Sequence, residues 1–243
     1  MIKPQALLLD FGGVIAEAPP QSDISDRLIN AVHRVVQGAV DRGRIAAALT
    51  AASGTYAKWR DTQTTEIPHE HLWAGIVAPD WPETARQAVR REAGELSRIW
   101  AHRVGWQVRP GIPECLAAGL PVAVVSNTLS GAAHRDFLDQ AGLSPLIAAQ
   151  VYSDEIGLRK PDPGPAAEGA ARLGVPVGRC WFVGDSMRRD IACARRAGTG
   201  AAILMRSRRT ATESPPPGVT PDATIDDGYG LIALLSRLSS PAP

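Results

Sequence analysis

Short runs dominated by apolar residues, separated by helical stretches that stop at glycine, set what this chain can fold into. The runs lie at 6–9, 122–125, 148–152, 180–183, 201–204 and, more weakly, 223–225. A run of this length with little polar alternation suits a strand covered on both faces, as in a parallel sheet. Helical patterns over 113–118, 131–141, 165–173 and 190–197 run up to Gly119, Gly142, Gly174 and Gly198. Glycine just past the last periodic residue is the expected helix stop. Strand–helix alternation of this kind implies the α/β class, with a doubly wound parallel sheet.

Residues 17–105 break the rhythm. They contain no convincing strand and read as helices over 22–37, 41–60, 68–77 and 82–103. Inserted between the first and second strands, they form a separate helical unit, leaving 1–16 and 106–243 as a discontinuous core. The unit carries Trp59, Trp73, Trp81 and Trp100, with Trp106 just beyond it. Tryptophans at helical spacing read as core before they read as a ligand platform. The Ser/Thr/Pro/Arg-rich stretch 206–221 reads as a mobile loop, and 231–238 as a closing helix.

Composition narrows the partners. A net charge of +1 gives no basic field for nucleic acid or a membrane surface. No apolar stretch approaches the ~20 residues of a membrane span. The N-terminal apolar run is cut by Asp10 and does not read as a secretory signal. Cys115, Cys180 and Cys193 are odd in number and lack metal-ligand spacing. They read as buried reduced thiols in a cytoplasmic protein.

The chemistry lies just past the strands. Asp10 ends the first run and the chain breaks at once into Gly12 and Gly13. Ser126 and Asn127 follow the second run, and Asp185 follows 180–183, with Asp190 five residues on. Lys160 sits in the loop before the helix at 165–173. Ligands in open α/β sheets bind beyond the carboxyl ends of the strands, so these groups converge there. Two nearby carboxylates without a histidine suit a hard, oxygen-ligated cation, best Mg²⁺. Beside such an ion Asp10 can attack a phosphorus atom and form an aspartyl-phosphate. Ser126 and neighbouring backbone N–H groups would hold the transferring oxygens while Lys160 neutralises charge. Gly12 and Gly13 let the backbone approach closely, and the Gly12 carbonyl could ligate the ion.

The motifs Asp10-Phe-Gly-Gly-Val14, Ser126-Asn127, Lys160-Pro161-Asp162 and Gly184-Asp185-Ser186 with Asp190 occur in that order. Together they resemble the four signatures of the haloacid dehalogenase superfamily, over a core of about 150 residues. The resemblance implies a Rossmann-like core with the 17–105 insertion as an all-helical C1 cap. It implies Asp10 as nucleophile and metal ligand, with Asp185 and the Gly12 carbonyl as further ligands. Ser126 would bind phosphate, Lys160 would hold nucleophile and phosphate, and Asp190 would act on Lys160 or a metal-bound water. Asn127 would contribute its backbone N–H. The expected partner is a small phosphorylated metabolite, bound by a monomer or homodimer.

One departure stands out. Phosphatases of the superfamily mostly carry a second Asp two residues past the nucleophile, and here that position is Gly12. General acid–base help is worth ~10²–10⁴-fold. A water or cap residue could substitute, the leaving group could need little help (as in a sugar 1-phosphate), or the protein could bind phosphoesters with little turnover. A 2-haloacid dehalogenase also lacks that Asp, but that branch uses no metal and replaces the Gly-Asp motif; a mutase would lean on the missing group. His69 and His71 read as exposed or capping residues and are the cap candidates for the missing acid. Arg60, Trp59 and Trp73 could reach the rest of a substrate. Arg188, Arg189, His134 and Arg135 read as surface residues, Asp154 and Glu155 as loop, and Asp162 as a cap of the following helix.

Overall fold

The computed structural model describes residues 1–17, 24–102 and 105–238. Among the described residues the strands are β1 Ala6–Leu9, β2 Ala16–Glu17, β3 Gln107–Val108, β4 Val122–Ser126, β5 Ala149–Tyr152, β6 Cys180–Gly184, β7 Ala201–Met205 and β8 Ala223–Ile225. Six form one parallel sheet in the order β5-β4-β1-β6-β7-β8. The chain builds outward from β1 through β4 to β5, then returns to β1's other side for β6. The crevice between β1 and β6 is therefore the point where the winding reverses, the usual ligand position of such sheets.

The apolar runs form strands because both faces are covered. Leu7, Leu9, Val122, Val124, Trp181 and Val183 face one layer, with α5 (Ile112–Leu116), α6 (Gly131–Gln140) and α10 (Gly228–Arg237) packed there. Ala6, Leu8, Ala123, Val125 and Phe182 face the other, under α8 (Gly164–Arg172) and α9 (Ala192–Ala197). Every residue of β1, β4, β6 and β7 is buried. The three cysteines are buried and unpaired.

The insertion is helical, with α1 Asp26–Val35, α2 Arg42–Thr62, a π-helical turn His71–Val77, α3 Glu83–Arg91 and α4 Ala93–Ala101. Leu28, Val32, Leu49, Trp73, Val89 and Leu96 belong to an apolar cluster of its own. Asp41 caps α2 through the Arg44 N–H at 2.9 Å. The helix expected over 82–103 breaks at Glu92, and its last expected residue, like Ser22 and Asp23 of the first, lies outside the described residues. A two-residue antiparallel ribbon, β2 with β3, joins the ends of the insertion. Two residues carry no readable period, so no strand was expected there.

Three other expectations need correction. Asp154 and Glu155 lie in the helical turn α7 (Ser153–Ile156), where Asp154 accepts the Gly131 N–H. His134 is buried, because α6 turns it onto Phe11, whose ring stacks at 3.8 Å. The 206–221 stretch is anchored: Glu213 accepts from the Ser186 hydroxyl at 2.8 Å and the Met187 N–H at 2.7 Å.

The insertion is stitched to the sheet after α2. Glu66 N–H donates to the Gly157 carbonyl at 2.9 Å, and Arg159 N–H to the Thr64 carbonyl at 2.7 Å. The Glu66 carboxylate pairs with the Arg159 guanidinium and accepts from the Ser153 hydroxyl at 2.5 Å, with both charged side chains 2% exposed. Removing one member of a buried pair strands the other's charge. Glu66→Ala is thus expected to destabilise the protein by about 3–5 kcal/mol in denaturant unfolding, and loss below ~1 kcal/mol would show that water reaches Arg159.

Candidate active site

Register brings the strand tips together. Leu9 lies level with Val124 of β4 and Val183 of β6, so Asp10, Ser126 and Asp185 sit at neighbouring carboxyl ends. The Asp10 N–H is fixed by the Val183 carbonyl at 2.9 Å. Lys160 arrives from the loop before α8. Its ammonium donates to Asp10 Oδ1 at 2.7 Å, contacts Asp190 Oδ1 at 2.6 Å and donates to the Val125 carbonyl at 2.8 Å. The other Asp190 oxygen accepts the N–H groups of Asp185 and Ser186 at 3.1 and 3.0 Å. Asp190 thereby fixes both Lys160 and the loop that carries Asp185.

Two glycines are obligatory. Gly13 has φ +83°, and a Cβ there would lie 2.1 Å from the Asp185 carboxylate. A Cβ on Gly184 would lie 2.1 Å from Asp190 Cβ. Gly12 differs: nothing lies within 4 Å of an added Cβ, which would enter open space.

The Asn127 side chain clamps Lys160. Its Nδ2 donates to the Lys160 carbonyl at 2.8 Å, and its Oδ1 accepts the Lys160 N–H at 2.8 Å. The sequence reading gave Asn127 only a backbone role. The Ser126 hydroxyl lines the cavity and makes no side-chain hydrogen bond among the described residues.

One carboxylate oxygen each from Asp10, Asp185 and Asp190 lie within 4.8 Å of one another, all three residues buried. The charges are unevenly neutralised. Burial raises the Asp10 pKa against the pull of Lys160, and Asp190 raises it further. Burial also acts on Asp190, but Lys160 outweighs it and holds Asp190 below the usual carboxylate range. Asp185 is pushed up to about 7 by burial, with Arg209 only partly offsetting it. Burial would lower the Lys160 pKa, yet its two carboxylates leave it raised. An all-oxygen, electron-rich, buried donor set of this kind fits a hard divalent cation.

The sequence reading missed the loop that meets Asp185. Ser207 donates to Asp185 Oδ2 at 2.6 Å, Arg209 to Oδ1 at 2.8 Å, and Thr210 to its carbonyl at 2.7 Å. The available signal was position, since this loop follows β7 at the same end of the sheet.

These groups line a cavity of about 650 Å³ between sheet and insertion. Trp100, Trp106, Arg60 and Arg189 are on its wall. Trp73 is instead fully buried and donates to the Ser97 hydroxyl at 2.9 Å, while the Trp59 indole donates to the Thr65 carbonyl at 2.9 Å. His69 Nε2 lies 2.7 Å from the Leu129 carbonyl, and neither it nor His71 lines the cavity. The histidines that do are His102 and His134. His134 is held near 3 by burial and by the Lys160 and Arg135 charges, so its ring is neutral at physiological pH and has no imidazolium proton to give. Asp162 accepts the Gly164 N–H at 2.7 Å from just ahead of α8, but the N-cap position expected for it is taken by Pro163.

Comparison with known proteins follows this geometry. Residues 4–198 match the haloacid dehalogenase-like hydrolase family. The chain is 34% identical over 131 residues to an N-acetylmuramic acid 6-phosphate phosphatase of Pseudomonas aeruginosa, covering 52% of this chain and 57% of that protein. It is 32% identical over 102 residues to a glyceraldehyde 3-phosphate phosphatase of Methanopyrus kandleri, covering 42% and 44%. It thus spans about half the length of these relatives. The crystal structure of a 2-haloacid dehalogenase from Pseudomonas syringae shares the fold at TM-score 0.62, 19% identity and coverage of 98% and 99%.

The raised pKa of Asp185 ties both stability and cation binding to pH. A carboxyl whose pKa rises from 3.8 to about 7 on folding binds its proton more tightly in the folded protein. That contribution to stability is complete below about pH 4 and is lost as pH rises towards 7. A cation binding Asp185 must displace the proton below about pH 7. Titrating chelator-treated protein with Mn²⁺ is expected to give about tenfold weaker affinity at pH 6 than at pH 8, and equal affinities would refute the raised pKa.

Proposed function

The chain belongs to the haloacid dehalogenase-like hydrolase family, and from that premise we propose that it is a Mg²⁺-dependent phosphatase of a small phosphomonoester, working through an aspartyl-phosphate. The observation that carries the reading is the buried cluster of Asp10, Asp185 and Asp190 with Lys160 bonded to two of them. The same cluster disfavours dehalogenation, which has no use for a third, poorly neutralised carboxylate.

Asp10, the Gly12 carbonyl and Asp185 would hold the ion, which supplies charge shielding between nucleophile and phosphate. Lys160 holds Asp10 Oδ1 and leaves Oδ2 for attack. Oδ2 bonds to phosphorus as the phosphorus–oxygen bond to the leaving group breaks, and the departing oxygen takes a proton from water. Water then attacks phosphorus, the Asp10–phosphorus bond breaks, and orthophosphate leaves. Ser126, Asn127 and Gly13 frame the phosphate, with Ser126 donating its free hydroxyl. Asn127 and Asp190 act as positioning residues for Lys160. Residues 17–105 would serve as a cap over the core of 1–16 and 106–243, excluding bulk water and shaping specificity.

No described helix is long and apolar enough to cross a membrane. The proposed setting is the cytoplasm and the proposed partner a small phosphorylated metabolite, a sugar phosphate among the candidates. Nearby relatives are named as phosphatases of such compounds.

A panel of small phosphoesters assayed with and without Mg²⁺ tests the reading. Turnover is expected only with Mg²⁺, and Asp10→Asn is expected to lower it by at least ~10³-fold. A metal-independent rate, or one indifferent to Asp10, would overturn the proposal.

Gly12 supplies a gain-of-function check. Its Cβ position opens into free space and its φ is ordinary, so an aspartate fits without strain. Gly12→Asp is expected to raise kcat on alkyl phosphates by ~10²-fold while changing aryl phosphates little. An equal change on both would show that leaving-group protonation does not limit the native enzyme.

A further inference from the structure

The cavity wall carries more positive charge than one phosphoryl group needs. Lys160 is committed to Asp10 and Asp190. Arg159 is locked on Glu66, and Arg209 on Asp185. Arg27, Arg60 and Arg189 also line the cavity and form no ion pair among the described residues, and of these Arg60 and Arg189 act on each other. Arg60, near the end of α2 in the insertion, forms no hydrogen bond or ion pair among the described residues. Arg189, on the core side in the turn Met187–Ile191, reaches only the Ser186 hydroxyl, at 3.5 Å.

The two are near enough to repel. Partial desolvation, followed by the charge of Arg189, holds the Arg60 pKa below its ordinary value, and Arg209 adds to this. Elsewhere in the protein arginines meet carboxylates at 2.6–2.9 Å, as Arg98 does with Asp136, Arg135 with Glu155 and Arg195 with Asp222. Arg60 is exposed and Arg189 half-buried, and a bound anion between two like charges on one cavity wall relieves what repulsion remains after Asp61 and Asp190 act on them. Guanidinium forks match the planar or tetrahedral oxygens of such an anion in bidentate fashion.

We propose that Arg60 and Arg189 jointly hold a second anionic group of the substrate, so that the preferred substrate is a small phosphomonoester bearing a carboxylate or a second phosphate. This rests on the phosphatase reading above. The cavity of about 650 Å³ leaves room for such a group beside the phosphoryl centre. Because one arginine belongs to the insertion and the other to the core, the anion also ties the two together. Specificity then comes from the part of the substrate that does not react.

Three probes separate the outcomes: 2-phosphoglycolate, its neutral amide, and the bisphosphate of ethane-1,2-diol. With Mg²⁺, the wild-type kcat/KM is expected to favour an anionic probe over the amide by roughly 10–100-fold, mainly through KM. The better anionic probe identifies the second group. Arg60→Gln and Arg189→Gln, each checked for an unchanged melting temperature, are expected to bring that ratio to within about threefold of unity, and Arg60→Lys to retain part of it. Equal wild-type turnover of amide and anionic probes would overturn the second site while leaving the phosphatase reading intact, as would a preference that survives both substitutions. Should no probe be turned over, the phosphatase reading fails, and calorimetric binding decides the anion site. An affinity for 2-phosphoglycolate at least tenfold above the amide, lost in Arg60→Gln, upholds it. Equal or undetectable binding overturns it.

Discussion

Everything at the sheet's carboxyl edge is organised around one buried ammonium. Lys160 is 2% exposed, and an unpaired charge at that depth would be untenable. It persists because Asp10 and Asp190 both approach within 2.7 Å and the Val125 carbonyl takes a third donor position. Each partner is itself fixed by the sheet or its loops. Asp10 is pinned by β6 through the Val183 carbonyl, and Asp190 holds the two N–H groups at the tip of β6. Asn127 fixes the lysine's own backbone from the tip of β4. Three strand ends thus converge on one cation, and the orientation of Asp10 is a property of the fold.

The parts of this arrangement legible in the sequence are those with a short-range signature. All-apolar runs with a carboxylate or a hydroxyl at their ends announced β1, β4 and β6 and placed Asp10, Ser126 and Asp185 together. The strand order follows from the chain's winding, and the glycines at 13 and 184 reflect space taken by Asp185 and Asp190. What stayed hidden depends on long-range docking. His134 looked like a surface residue because nothing in 131–141 reveals that α6 turns it onto Phe11. The Ser207–Thr210 stretch looked mobile because a loop rich in serine, threonine and arginine has the composition of solvent-exposed chain. Its order comes from Asp185, a charge more than twenty residues away. Arg189 looked solvated because its cavity exists only once the insertion is in place.

The insertion's attachment bears on how it could act. Glu66 with Arg159, and the backbone bonds flanking them, form a buried joint on one side of the cavity. Elsewhere the insertion meets the core through Leu72 against Leu129 and through an ion pair of Arg98 with Asp136 whose members are 45% and 31% exposed. An exposed ion pair is worth ~0–1 kcal/mol, whereas opening the joint also breaks two backbone hydrogen bonds and the Ser153 bond to Glu66. Relative motion of insertion and core is therefore easiest as rotation about the Glu66–Arg159 joint. Arg60 lies in the helix that leads into that joint, so its position relative to Arg189 is sensitive to the rotation.

The distribution of positive charge divides the labour between rigid and adjustable parts. The charge that orients Asp10 comes from Lys160, which is held by strand tips and buried. The charge on Asp185 comes from Arg209, which is carried by a loop and is 41% exposed on its side chain. A carboxylate that is to exchange partners needs a neutraliser that can leave at low cost, and a half-exposed guanidinium on a loop meets that need better than a buried ammonium. Asp185, with its pKa near 7, is incompletely neutralised, as is Asp10, whose pKa burial also raises. An added cation at Asp185 would meet that uncompensated charge, and the loop at Ser207–Thr210, which donates to the same carboxylate, is the element that would have to yield for it.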